Sequence, residues 1–253
     1  MKRIAAAAFA AISLAGAGSA VAMDICVEGA YPPFSETSPD GSIVGFDIDI
    51  ANALCAEIGV ECNMLKTDWD GIIPALLEGK CDAIVASMSI TPERQEVIDF
   101  TKKYYHTPAL FVAKADAGFE DTPEGMAGKV VGVQRGSIHQ GFMEGEFPDV
   151  ELRLYGTQDE AHLDLAAGRL DAVMADSIAI DDGFLKTPAG EGFAFFGQEW
   201  AIPEYHGTGA GIGVRKEDTE LRDSLTAAIE AIRASGQYDE IAARYFDFNV
   251  YGE

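Results

Sequence analysis

Basic residues are scarce in this chain: 18 lysines and arginines stand against 42 aspartates and glutamates, a formal net charge of −24. So negative a surface repels phosphate backbones and anionic lipid, which excludes nucleic acid and membrane surfaces as partners. It suits a cationic ligand, and suits solubility or a salty habitat equally well. The spacings of common catalytic machinery are missing too: the sequence has no nucleophile elbow, zinc-protease helix or phosphate loop. His106, His139, His162 and His206 show no metal-ligand spacing, so no metal and no cofactor are expected. Beyond the first residues, no apolar run is long enough to cross a bilayer, and no membrane insertion is expected.

The one apolar stretch that stands out opens the chain. "MKRIAAAAFAAISLAGAGSAVAM" has a basic start at Lys2 and Arg3, an Ala-rich middle and small residues at Ala20 and Ala22. That pattern reads as a secretory signal over residues 1–22, cleaved after about Ala22, with Ala17 where a lipid-anchored export signal needs Cys. The expected location is the periplasm. Cysteine is sparse, with Cys26, Cys55, Cys62 and Cys81, all in the first third of the chain. An even count in an exported protein favours disulfides. Cys55 and Cys62 fall at a helix end and the following strand start, and are paired. Cys26 and Cys81 lie in two short apolar strands. They pair if those strands are neighbours, and otherwise stay buried thiols.

Strand-like and helix-like segments alternate: "DICVEG", "GFDIDIANALCAEIG", "CNMLKT", "WDGIIPALLEG" and "CDAIVASM". The second carries Ile50, Ala53, Leu54 and Ile58 at helical spacing and stops at Gly59. Alternation of this kind predicts an α/β domain with a largely parallel sheet. An internal echo adds a second one. "LLEGKCDAIVASMSI" and "LAAGRLDAVMADSIAI" match at Gly79 and Gly168, Lys80 and Arg169, Asp82 and Asp171, and place Ser87 against Asp176. Two similar α/β lobes follow from the echo and the length. "GTGAGIG" leads into a strand, which reads as close backbone packing rather than a nucleotide loop.

Polar groups gather just past strand ends at Ser87–Arg94, Gln134–His139 and Asp176–Ser177. In open α/β sheets ligands bind there. Thr91-Pro92-Glu93-Arg94 is a good helix start, yet it sets an arginine in the first turn, where partial positive charge disfavours cations. Arg94 makes sense there if a carboxylate docks on its guanidinium. The plainer reading is a surface salt bridge to Glu93, Glu96 or Asp99. Asp176 is its complement as a seat for an ammonium; its plainer role is a helix N-cap. Tyr31 and Trp69 lie on loops after strands and can sandwich a planar or cationic side chain, although most aromatics are core. Glu28 is the candidate counter-charge, or else a solvated loop carboxylate.

"VGFDIDIANALC", "DWDGIIPALLEGKCDAIVASMSITPERQEVIDFT" and the segment from "GIGVRKEDTELRDSL" to "YFDFNVYG" resemble the polar-amino-acid periplasmic binding proteins of ABC importers, in the lysine/arginine/ornithine-, histidine- and opine-binding branch. The resemblance covers essentially the whole mature chain. It implies the type II periplasmic-binding-protein fold, two α/β lobes joined by a two-crossover hinge near Tyr105 and His206. The first lobe would be 24–105 plus 207–253 and the second 106–206. It implies a monomer that closes on a free amino acid and meets a permease with its ATPase. Arg94 would clamp the α-carboxylate with Ser89 and the backbone near Ser137 and Ile138. Asp176 would take the ammonium with Ser87 or Ser89, and Met88 and Gln134 would complete the wall. Tyr31, Trp69 and Glu28 would read the side chain, and Cys55–Cys62 matches the branch's disulfide. Glu28 where several relatives have Asp, and Ala86 for a Ser, point to arginine first, with ornithine, lysine, histidine and opines open. The competing reading is a periplasmic cyclohexadienyl dehydratase on the same fold, with Glu28 as general acid. An amino-acid sensor domain is a third.

Overall fold

The structure, a computed structural model, describes residues 22–252. The signal segment expected over 1–22 therefore lies outside the described residues except for Ala22. That residue opens the first strand, β1 (Ala22–Val27). β2 (Ala30–Tyr31), β3 (Ser35–Thr37) and β4 (Ile43–Val44) form a small antiparallel sheet of their own. Helix α1 (Phe46–Ile58) buries Phe46, Ile50, Ala53 and Leu54 and ends at Gly59, whose left-handed backbone donates its N–H to Ala56 and Cys55. β5 (Glu61–Lys66) returns parallel to β1, and α2 (Ile72–Leu77) leads to β6 (Ala83–Ile84) on the other side of β1. Then come α3 (Pro92–Gln95), capped by the Thr91 hydroxyl, and β7 (Asp99–Phe100).

After Tyr104 and Tyr105 the chain crosses into a second sheet with β8 (Ala109–Lys114). α4 (Pro123–Met126), β9 (Val130–Gln134), α5 (Ile138–Glu146), β10 (Glu151–Tyr155), α6 (Gln158–Ala166), β11 (Ala172–Asp176), α7 (Ser177–Ile180) and β12 (Phe193–Trp200) follow. α8 (Pro203–His206) precedes the return to the first sheet through β13 (Gly213–Val214). α9 (Thr219–Ser235) and α10 (Gln237–Ala242) close the chain, and Leu225, Ile229 and Ile232 of α9 pack into the core beneath α1.

Two lobes result, each on a five-stranded sheet, ordered β5-β1-β6-β13-β7 and β10-β9-β11-β8-β12. The expectation of largely parallel sheets needs correction. Each sheet has two parallel pairings and two antiparallel ones. One strand in each sheet, β13 and β8, runs against all the others, and each is the strand by which the chain enters that sheet after crossing from the other lobe. The echo is structural. Gly79 and Gly168 both sit at φ +71°. Asp82 exchanges backbone and side-chain hydrogen bonds with Asp24 of β1 (2.7 and 3.0 Å), and Asp171 makes the same pair with Val130 of β9 (both 2.8 Å). Each aspartate pins an incoming strand to its neighbour.

"CDAIVASM" is only partly strand. β6 stops at Ile84, and Ser87 turns the chain at φ +55°. "GTGAGIG" packs as expected: a Cβ on Gly207 would stand 2.2 Å from the Ile90 carbonyl, and one on Gly209 2.7 Å from that of Tyr105. The last helix is shorter than "YDEIAARYF", ending at Ala242. Cys26 and Cys81 are joined, as are Cys55 and Cys62, with Cα–Cα distances of 5.8 and 6.1 Å. The neighbouring strands that the first pairing required are β1 and β6.

Candidate functional site

A cleft lies between the lobes, lined by Tyr31, Trp69, Ala86, Ser87, Ser89 and Arg94 from one side and by Gln134, Ser137, Ile138, His139 and Asp176 from the other. Clefts between lobes are common places for small-molecule sites. Most of the walls come from the carboxyl ends of β6, β9 and β11, where the sequence grouped its polar residues, with Tyr31 from β2 and Trp69 from just after β5.

Arg94 is buried in the first turn of α3. Its Nη1 donates to the Ser89 carbonyl at 3.0 Å and its Nη2 to the Gly136 carbonyl at 3.3 Å, on the facing lobe. Its guanidinium lies 5.2 Å from the Trp69 ring centroid. Among the described residues no carboxylate forms an ion pair with it, so the surface salt bridge to Glu93, Glu96 or Asp99 is not made. Burial pushes its pKa down to about 10, which leaves it charged. A buried cation whose protein partners are carbonyls and a π face calls for an anion from outside the chain.

Across the cleft, Asp176 fills the plainer role that the sequence offered, that of a helix N-cap. Its Oδ1 accepts the Ile178 N–H at 3.0 Å and so caps α7, and its Oδ2 accepts the Thr107 hydroxyl. Burial raises its pKa to about 6, against those hydrogen bonds. A cation beside it would relieve that cost. Glu28 is buried, not solvated, and burial raises its pKa to about 7. It is not on the wall itself: its Oε1 accepts from Nε2 of Gln134, which is, at 2.6 Å. The Glu28–Gln134 contact joins the lobes, as do Arg94–Gly136 and the exposed Arg135–Asp70 pair at 3.2 Å. These three contacts describe a closed arrangement.

The positive pole at Arg94, the negative pole at Asp176 and the further carboxylate at Glu28 match a zwitterion carrying an additional cation. The model of the bacterial extracellular solute-binding proteins, family 3, matches residues 23–248. The chain belongs to that family. This solute-binding protein is 51% identical over 230 residues to an L-arginine-binding protein of Pseudomonas aeruginosa, covering 90% of this chain and 89% of the relative. It is 41% identical over 225 residues to the lysine/arginine/ornithine-binding periplasmic protein of Escherichia coli K12, covering 88% and 86%. A Salmonella typhimurium periplasmic binding protein, whose structure was described as the basis for high arginine specificity, superposes with a TM-score of 0.83. That match has 32% identity and covers 89% of this chain and 99% of that one. These relatives are binding proteins, not enzymes.

Of the residues singled out from sequence, Tyr31, Trp69, Ser87, Ser89, Arg94, Gln134, Ser137, Ile138 and Asp176 meet in the cleft of this solute-binding protein. Met88 does not: its side chain is buried in the first lobe's core with Ile72 and Leu76. Trp69 faces Arg94 as well as the cleft. His139, which the sequence grouped with Gln134 past a strand end, also lines the cleft and is kept neutral by burial, its pKa pushed down to about 3. Sequence reasoning passed over Asp47, a buried carboxylate bonded to Ser87. The only signal for Asp47 was an acidic residue in a helix's first turn, where the helix dipole explains it just as well. No cluster of three or more metal-ligating side chains occurs among the described residues, and no helix there is long and apolar enough to cross a membrane.

Proposed function

We propose that this protein captures one free cationic amino acid, arginine first, in the inter-lobe cleft and presents the closed form to an ABC permease coupled to its ATPase. The carrying observation is the buried, carboxylate-free Arg94 facing Asp176. Arg94 takes the ligand's α-carboxylate with two parallel hydrogen bonds, supported by Ser89 and the backbone at Ser137 and Ile138. Asp176 takes the ammonium, and Ser87 lies beside it. Tyr31 and Trp69 flank the side chain, and Glu28, acting through and beside Gln134, balances its charge. The relatives' arginine and lysine/arginine/ornithine names support the ligand class; ornithine, lysine, histidine and opines are the next candidates. The lobes run 24–105 plus 207–253 and 106–206 and hinge at the two crossovers, so closing on a ligand is a rigid-body motion. The protein acts in the periplasm as a monomer, after removal of residues 1–22.

Calorimetric titration of ligand-free protein with the twenty amino acids, ornithine, citrulline and opines tests this. Tight one-to-one binding confined to cationic ligands is expected, and Arg94→Ala should abolish it. Binding of neutral or acidic amino acids alone would overturn the ligand class. Near-wild-type affinity in Arg94→Ala would overturn the carboxylate clamp.

A further inference from the structure

Ser87 is the only described non-glycine residue with a positive φ, +55°. A side chain in the left-handed region is strained and persists only when its surroundings impose it. The surroundings here form a closed polar ring. The Ser87 hydroxyl donates to Asp47 Oδ2 at 2.9 Å, the Tyr104 hydroxyl donates to Asp47 Oδ1 at 2.8 Å, and the Ser87 N–H donates to the Tyr104 hydroxyl oxygen at 3.2 Å. Asp47 and Tyr104 are fully buried. Both polar ends of Ser87 are thereby fixed from two other segments, the first turn of α1 and the first crossover between lobes. Two residues on, the Ser89 carbonyl accepts from Arg94.

We infer that Asp47, which does not line the cleft, is a positioning residue for ligand capture: with Tyr104 it holds Ser87 in its left-handed bend, and so sets the 87–89 segment that orients Arg94 and faces Asp176. The inference deepens the amino-acid-binding reading and rests on it. The ring acts on the end of the ligand common to all α-amino acids, so its loss weakens every ligand by the same factor. A glycine at 87 adopts positive φ unaided, so it makes the ring dispensable.

The experiment is a double-mutant cycle of Asp47→Asn and Ser87→Gly, read by calorimetry with arginine, ornithine, lysine and histidine. Thermal unfolding is followed in parallel. Asp47→Asn alone should weaken binding about tenfold or more, equally for each ligand the wild type binds. In the Ser87→Gly background it should cost less than about threefold. If Asp47→Asn does not fold, Tyr104→Phe removes the same ring and should show the same glycine rescue. Unchanged affinity in Asp47→Asn, or the full loss persisting in the glycine background, overturns the inference while leaving the binding function intact. A folded wild type that binds none of the four overturns the functional reading, and the inference with it.

Discussion

At the scale of single residues, three carboxylates stand out: the buried Glu28 and Asp47 and the half-buried Asp176, raised mainly by desolvation to about 7, 7 and 6. Each folded-state value lies above the ordinary one, so the unfolded chain releases these protons first as pH rises. The free protein should therefore lose stability between about pH 4.5 and 7, the Glu28 window. A bound cation removes that cost by stabilising the ionised forms. Arginine affinity should accordingly rise across the same window, and so should the increase in melting temperature that arginine produces. A thermal-shift series with and without arginine checks both signs, and a flat ligand effect would count against Glu28 and Asp176 as counter-charges. Glu28→Gln should weaken cationic ligands more than neutral ones, and equal losses would mean that Glu28 does not read the side chain. Arg94 was legible in the sequence because its placement contradicts the helix dipole. Asp47 was not, because its placement agrees with it. Met88 misled for a different reason: it lies between two serines that reach the cleft, while its own side chain turns into the core.

At the scale of elements, helix starts and stops were readable wherever a cap chemistry exists, as at Thr91-Pro92 and Gly59. Glycine positions divide by what surrounds them. Gly207 has φ +72° and its added Cβ would meet the Ile90 backbone, so Gly207→Ala should destabilise the fold by about 2 kcal/mol or more. Gly79 has the same kind of φ, +71°, but open space around it, and Gly79→Ala should cost only about 1 kcal/mol. Chemical denaturation of the two variants tests the contrast; equal costs would mean that the close approach at Gly207 relaxes. Strand direction was not legible. Apolar alternation near β7, β8, β12 and β13 is the same for either direction, and the choice is made by the path between lobes.

At the scale of the whole molecule, the net charge of −24 draws cations from a distance. The association rate for arginine should fall as ionic strength rises from a Debye length of about 30 Å to about 8 Å, and any rate measured for glutamine should change far less. Stopped-flow fluorescence from Trp69 and Trp200 offers the readout, and equal salt dependence would show that the acidity is unrelated to capture. Two lobes were readable from the Gly79/Gly168 and Asp82/Asp171 echo, because both sheets anchor an incoming strand by the same carboxylate pair. The sheet orders also bear on how the molecule is assembled. The second sheet is built wholly from one continuous stretch, 109–200, whereas the first needs β13 and is backed by α9, near the end of the chain. A polypeptide that folds as it emerges from its N-terminus can therefore finish the lobe it starts second. Both disulfides close within 26–81, so they can tether the half-built first lobe before its last strand arrives.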